Sequence, residues 1–258
     1  MKAASLWQWS ISGKHPVAPD FFKLGDDLPL FKLFSDWVEK GYQMFLKEES
    51  SPRALHSWRF WARGSQKEYL VCGVVRDSSD RVGRPFPLLI LGTGLLPGWE
   101  EHWELLPLAC EKVWNQIEYL SAFAGSDLKK MREELSFLRP PHPEWEEWDR
   151  KGRELIDHWR NSNPIDLSIK GVKEVVSRAS DQNKIFLRLV TDSSIDQWSQ
   201  VGFYHFLIKK ETNWIPNALF MGGGGENLFI GLFKKPLQVA DFVQLWTISA
   251  QETFFMKS

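Results

Sequence analysis

The sequence predicts a mixed α/β (α+β) protein with antiparallel sheet strands toward both ends of the chain and helices packed between and around them. Three observations carry that prediction. Short apolar runs bounded by turn residues occupy residues 58–91 and 185–233, apolar stripes at spacings of three and four fill the middle, and no regular repeat recurs.

Residues 6–11 alternate apolar and polar side chains, the pattern of a half-buried strand, and residues 13–16 and 18–20 read as loop. Leu30, Phe34, Trp37, Val38 and Phe45 then share one face of a helix over 30–46, with Asp27 as its cap and Pro29 in its first turn. A polar stretch around Ser50, Ser51 and Pro52 separates it from three apolar runs, 58–62, 69–75 and 86–91, which read as an antiparallel meander. Trp99, Trp103, Leu106, Cys110, Val113, Ile117, Leu120 and Ala124 form a continuous helical stripe. Pro107 interrupts it, giving one kinked helix or two in succession.

A second helix over 144–160 carries Trp145, Trp148, Leu155 and Trp159 on its apolar face. The segment Arg139-Pro140-Pro141-His142-Pro143 before it is the best internal linker, dividing residues 1–139 from 140–258. Whether the second region stands alone or completes the first one's domain is open at this level. It contains apolar runs at 185–190, 201–208, 218–221 and 228–233, read as strands, and a closing helix over 236–246 with Leu237, Phe242 and Trp246 apolar.

Composition narrows the function. A hydrophobic fraction of 43% and a charged fraction of 25% over 258 residues describe a folded globular chain. The net charge of −1, with no basic block, disfavours nucleic acid and anionic membrane surfaces. The N-terminus lacks the apolar run of a secretory signal, no window is apolar enough to span a bilayer, and the expected location is the cytoplasm. Cys72 and Cys110 each lie in apolar sequence and read as small buried hydrophobes. The 14 tryptophans read mostly as core, with room for an exposed contact surface.

No catalytic, cofactor or metal site emerges. The six histidines form no HxxxH or HExxH pair, no serine sits in a GxSxG elbow, and Glu146 and Glu147 are adjacent and so diverge on a helix. Thr191, Asp192, Ser193 and Ser194 with Asp196 read as a capped turn. Gly222 to Gly225 lead into Glu226 and Asn227 where a phosphate loop needs Lys and Ser or Thr, so a hairpin is the simpler reading.

The most information-rich segment is 73–88, two apolar strands flanking Asp77-Ser78-Ser79-Asp80-Arg81-Val82-Gly83-Arg84. In the structural reading Asp77 and Asp80 accept backbone N–H groups, Gly83 takes a positive φ, and Arg81 and Arg84 pair with nearby carboxylates. In the functional reading the two arginines form an anion-binding fork for an acidic or phosphorylated partner.

The string Ser79-Asp80-Arg81-Val82-Gly83-Arg84 followed by Phe86-Pro87-Leu88 resembles the signature of the TagF (ImpM) family. Ser57-Trp58-Arg59-Phe60 before Gly73-Val74 resembles that family's Trp-Arg-Phe and Gly-Val strands. Gly13-Lys14-His15-Pro16 with Asp20-Phe21 resembles its Gly-Lys-Leu-Pro and Gly-Asp-Phe pair, and Trp37 lies in the helix that follows. His15 departs from the usual Leu, Pro19 from the Gly before the Asp, and Asp77-Ser78 from Pro-Ser. The order of elements is kept over roughly residues 6–92.

The resemblance implies a bacterial, cytoplasmic, non-catalytic accessory of a type VI secretion system. It would repress assembly after translation by binding a forkhead-associated scaffold protein or a sheath component. Arg81 and Arg84, held by Asp80 and supported by Trp58 and Arg59, are then the expected partner contacts. The alternative is a phosphopeptide- or nucleotide-sensing module that uses the same two arginines.

Overall fold

The computed structural model describes residues 7–48, 55–122, 127–162, 172–176, 182–189, 196–225 and 227–255. Its strands are β1 (Gln8–Gly13), β2 (Phe22–Gly25), β3 (His56–Arg63), β4 (Tyr69–Arg76), β5 (Leu88–Leu95), β6 (Lys184–Arg188), β7 (Ala218–Gly224) and β8 (Phe229–Phe233). They form one antiparallel sheet in the order β2-β1-β5-β4-β3-β7-β8-β6. The helices are α1 (Pro29–Glu48), a 3-10 turn (Trp103–Leu105), α2 (Leu106–Ser121), α3 (Leu128–Ser136), α4 (Trp145–Ser162), α5 (residues 172–176), α6 (Gln197–Glu211) and α7 (Val239–Phe255). The fold is mixed α+β, as the sequence predicts.

The meander explains its own continuity of apolar residues. Successive side chains of a strand point to opposite faces, and here both faces are covered, so β3 and β4 are buried along most of their length rather than alternately, and in β3 this includes His56 and Arg59. Trp58, Phe60 and Ala62 enter the core under α1 and α7. There Phe34 stacks on Phe60 at 5.4 Å, and Trp37 meets Phe220 and Phe242 at 5.7 and 5.4 Å. Gly41 lets α1 and α7 approach so closely that a Cβ there would lie 2.4 Å from the Phe242 side chain. On the other face Trp61 packs against Trp99 and Trp103 beneath α2. Of the 13 tryptophans whose side chains are described, ten are buried, so the excess of this residue is mainly core. Both cysteines are free and fully buried, and burial, then the neighbouring Cys110 thiol, pushes the Cys72 thiol well up.

The strands of the second half extend the sheet of the first. β7 pairs with β3 along its whole length, from His56↔Gly224 to Ala62↔Ala218. The segment 139–143 is coil leading into α4.

Several elements differ from expectation. Residues 201–208 are not a strand but lie within α6. Asp196 caps that helix, accepting the Ser199 N–H at 2.8 Å. Val201, Gly202, Phe203, Tyr204, His205 and Ile208 are all buried, so no single apolar stripe exists to announce a helix, and the aromatic and β-branched content mimics a strand. Pro107 kinks nothing. It sits second in α2, where its missing N–H leaves no bond unmade, and Trp99 lies in the turn region before the helix. Leu28, not Asp27, precedes α1, and its carbonyl accepts the Lys32 N–H at 3.0 Å. The closing helix begins at Val239 and continues to Phe255. β2, only four residues long, was not anticipated. The expectations for Leu6, Ser50 to Pro52, Ala124, Val190, residues 191–194 and Glu226 lie outside the described residues, as does the side chain of Trp159.

Candidate functional site

The connection from β4 to β5, residues 77–87, is tied down from both sides. At its start Asp77 accepts the His56 N–H at 2.8 Å and bonds the His56 ring at 3.1 Å through Oδ2. Its Oδ1 accepts the Trp246 indole N–H at 2.8 Å, fastening the loop to α7. At its centre the Asp80 side chain has no solvent exposure. Asp80 Oδ1 accepts the N–H groups of Val82 and Arg84 at 3.1 and 3.0 Å, and Oδ2 accepts Arg84 Nε at 2.7 Å and lies 3.1 Å from Lys14 Nζ. Burial opposes its ionisation, but the Arg84 N–H, the Lys14 and Arg84 cations and the Val82 N–H outweigh it and hold the pKa at about 2. Gly83 turns the chain at φ +84°, and its N–H closes on the Asp80 carbonyl at 2.9 Å.

The loop is also laced to residues 14–20. The Arg81 N–H donates to the Ala18 carbonyl at 2.9 Å and its guanidinium to the Val17 carbonyl at 2.8 Å. Arg84 Nη2 reaches the Pro19 carbonyl at 2.9 Å and Asp20 at 3.3 Å. His15 sets the course of this second segment. Its buried ring accepts the Val17 N–H at Nδ1, so the neutral imidazole carries its proton on Nε2 and donates to the Ser121 carbonyl. Burial lowers its pKa, which favours that neutral form.

The residues singled out from sequence therefore separate into three settings. Asp80, Arg81 and Arg84 come together, but Arg81 bonds carbonyls rather than a carboxylate, and both guanidiniums are committed to acceptors of this chain. Trp58 has 0% exposure in the core under α1 and α7. Arg59, on the opposite face of β3, is 2% exposed. It pairs with Glu118, donates to Asn115 at 2.8 Å and lies 3.5 Å from the Trp198 ring centroid. Solvent meets the loop at Val82, 71% exposed, at Phe21, 38% exposed, and at Arg84, whose side chain is 53% exposed. Phe21 packs edge-on to Phe86 at 5.4 Å.

Sequence reasoning missed Lys14, Asp20 and the carbonyls of 17–19 as partners of the loop. The signal was present as charge: one segment offers Lys14 and Asp20, the other Asp80 and Arg84. The glycine run forms the β7–β8 hairpin, with Gly222, Gly223 and Gly225 all at positive φ. Among the described residues no group of three His, Cys, Asp or Glu converges to hold a metal ion. No helix among them is long and apolar enough to cross a membrane.

The sequence model of a family described as the TagF N-terminal domain, type VI secretion system-associated, matches residues 10–138. No curated protein matches the chain. In fold it is similar to PA0076 from Pseudomonas aeruginosa PAO1, a crystal structure at 2.05 Å. The TM-score is 0.52 and the identity 16%, over 92% of this chain and 93% of that one.

Proposed function

We propose, since this chain belongs to the TagF family of type VI secretion-associated proteins, that it is a cytoplasmic, post-translational repressor that binds an assembly component of the secretion apparatus. The partner is a forkhead-associated scaffold protein or a sheath component. Binding lowers the partner's free concentration, so repression follows mass action and needs no catalysis.

The observation that carries this reading is the fixed, outward loop at the heart of the matched region. Asp80 spends both carboxylate oxygens on the loop and its neighbour, which leaves Val82 and Arg84 presented to solvent at no further ordering cost. Val82 and Arg84 make the contact, Asp80 and Arg81 hold the loop's shape, and Trp58 and Arg59 support it by anchoring β3. Residues 140–258 belong to the same domain, a reading supported by the β3–β7 ladder.

The test is a pull-down from a lysate containing the full secretion gene cluster, comparing the tagged protein with Val82→Glu and Arg84→Ala. Recovery of a scaffold or sheath protein by the wild type, lost in Val82→Glu at unchanged melting temperature, is the expected result. Recovery of no apparatus component sinks the proposal.

A further inference from the structure

β2 is one of the two edges of the sheet, and its outer side is bare backbone. The Asp26 N–H, just past the strand, donates inward to the Trp9 carbonyl at 3.3 Å. Bonded and non-bonded positions alternate in an antiparallel ladder, and Asp26 continues the register in which Gly25 faces Ser10 and Lys23 faces Ser12. Phe22 and Leu24 therefore share the inward setting, and the N–H and C=O groups of Lys23 and Gly25 turn away from β1. Among the described residues nothing hydrogen-bonds to those outward groups. Gly25 is exposed, and since a glycine has only backbone to expose, what solvent meets there is the edge itself. Such groups are satisfied by water or by another extended backbone. A helix, whose own N–H and C=O groups are spent on one another, does not meet them.

This edge runs straight on from the loop surface. Phe21, 38% exposed, lies immediately before β2 and packs edge-on to Phe86, while Arg84 reaches Pro19 and Asp20. Val82, 71% exposed, stands on the same loop. The few bonds of so short a strand are a weak grip by themselves, and exposed apolar side chains at its start supply the anchor an added segment needs. A second copy of this chain is the poorer occupant. In the antiparallel register that pairs most of the edge, Lys23 would stand opposite Lys23, with the exposed Asp26 brought toward the exposed Asp20. Like charges directly opposed are destabilising, so the edge is guarded against itself.

We infer that β2 is where the partner adds a strand: an extended segment of the bound protein pairs with Lys23 and Gly25, and its continuing residues cover Phe21 and Val82. The inference rests on the proposed repressor reading and deepens it, since it names the form in which the partner is recognised. Backbone pairing asks for extension rather than for one sequence, and contacts at Phe21 and Val82 then choose among extended segments.

The experiment repeats the pull-down with the full chain carrying Lys23→Pro or Lys23→Gln. Proline removes the outward N–H and leaves the bonds to β1, a change that edge strands tolerate, whereas Gly25, at φ +94°, is closed to it. Capture of the apparatus component is expected to fall about tenfold or more in Lys23→Pro and to survive in Lys23→Gln, both melting near the wild type. In the wild-type complex, exchange of the Lys23 and Gly25 amide hydrogens should slow by about tenfold or more. Amides that exchange in the complex as in the free protein overturn the inference, whether or not Lys23→Pro folds. Capture kept in Lys23→Pro but lost in Val82→Glu overturns it too and leaves the repressor reading standing, whereas capture of no apparatus component overturns both. Equal loss in Lys23→Pro and Lys23→Gln assigns the contact to the lysine side chain and rejects strand addition. A free protein that sediments as a dimer with both amides already protected rejects it in favour of a second copy.

Discussion

Two connections close neighbouring strands of the same sheet, β4 to β5 through residues 77–87 and β7 to β8 at the hairpin into which the glycines at the end of β7 lead. The first is held by side chains. Asp77, Asp80, Arg81 and Arg84 supply bonds that a ladder would otherwise supply, and Gly83 contributes only its positive φ, with open space where a Cβ would go. The second is held by the absence of side chains. At Gly222, φ is +148° and a Cβ would sit 2.1 Å from the Ser57 carbonyl oxygen of β3. In the long loop the chemistry of each residue is specified, whereas in the hairpin what is specified is how near one backbone comes to another.

The largest effect should break the hairpin. Gly222→Val combines a strained φ with a clash against backbone that cannot give, and is expected to cost about 3 kcal/mol or more in urea unfolding. Asp80→Asn comes next, because it removes a charge that two backbone N–H groups and two cations converge on. Its cost should depend on pH. With the folded pKa depressed to about 2 against an ordinary value of 3.8, the stabilisation is complete above about pH 4 and is lost as pH falls through 2. Wild type and Asp80→Asn should therefore converge in melting temperature toward pH 2.

A second titration runs beneath that comparison. Burial, opposed by the Val201 carbonyl, lowers the His205 pKa to about 4 from 6.5. Between those values only the unfolded chain takes up this proton, so the His205 contribution to stability falls by roughly 1.4 kcal/mol per pH unit on acidification. It affects both proteins alike and cancels in their difference. His205→Phe should reduce the slope between pH 6.5 and pH 4, leaving the share of His15, whose pKa burial also lowers.

Smaller effects sharpen the contrast. Gly83→Ala meets no atom, so only its positive φ counts, and a loss of about 1 kcal/mol is expected. Val82→Glu should change stability by less than about 0.5 kcal/mol, because Val82 is 71% exposed. A cost for Gly83→Ala as large as that for Gly222→Val would mean that the two turns are held in the same way after all.

The meander was legible because β3, β4 and β5 each carry a short run rich in apolar residues and bounded by turn residues. α6 was not, since a helix buried nearly all round shows no stripe, and its N-cap Asp196 is one polar residue among many. The Asp80 loop was legible in part: the backbone bonds to Asp80 and the positive φ of Gly83 follow from local turn chemistry. Its partners Lys14 and Asp20 lie about 60 residues away in the chain, and only the fold brings them near. Trp58 and Arg59 looked equivalent in sequence, yet the strand's alternation sends one into each core.

The β3–β7 ladder sets a timetable for synthesis. Between Arg63 and Ala218 lie 154 residues, so the central edge of β3, with Trp58, Phe60 and Trp61, waits for its partner while they are made. At ribosomal rates of about 5–20 residues per second that wait is roughly 8–30 s. During it the nascent chain offers an unpaired aromatic strand edge, the kind that chaperones cover and that neighbouring chains otherwise find first.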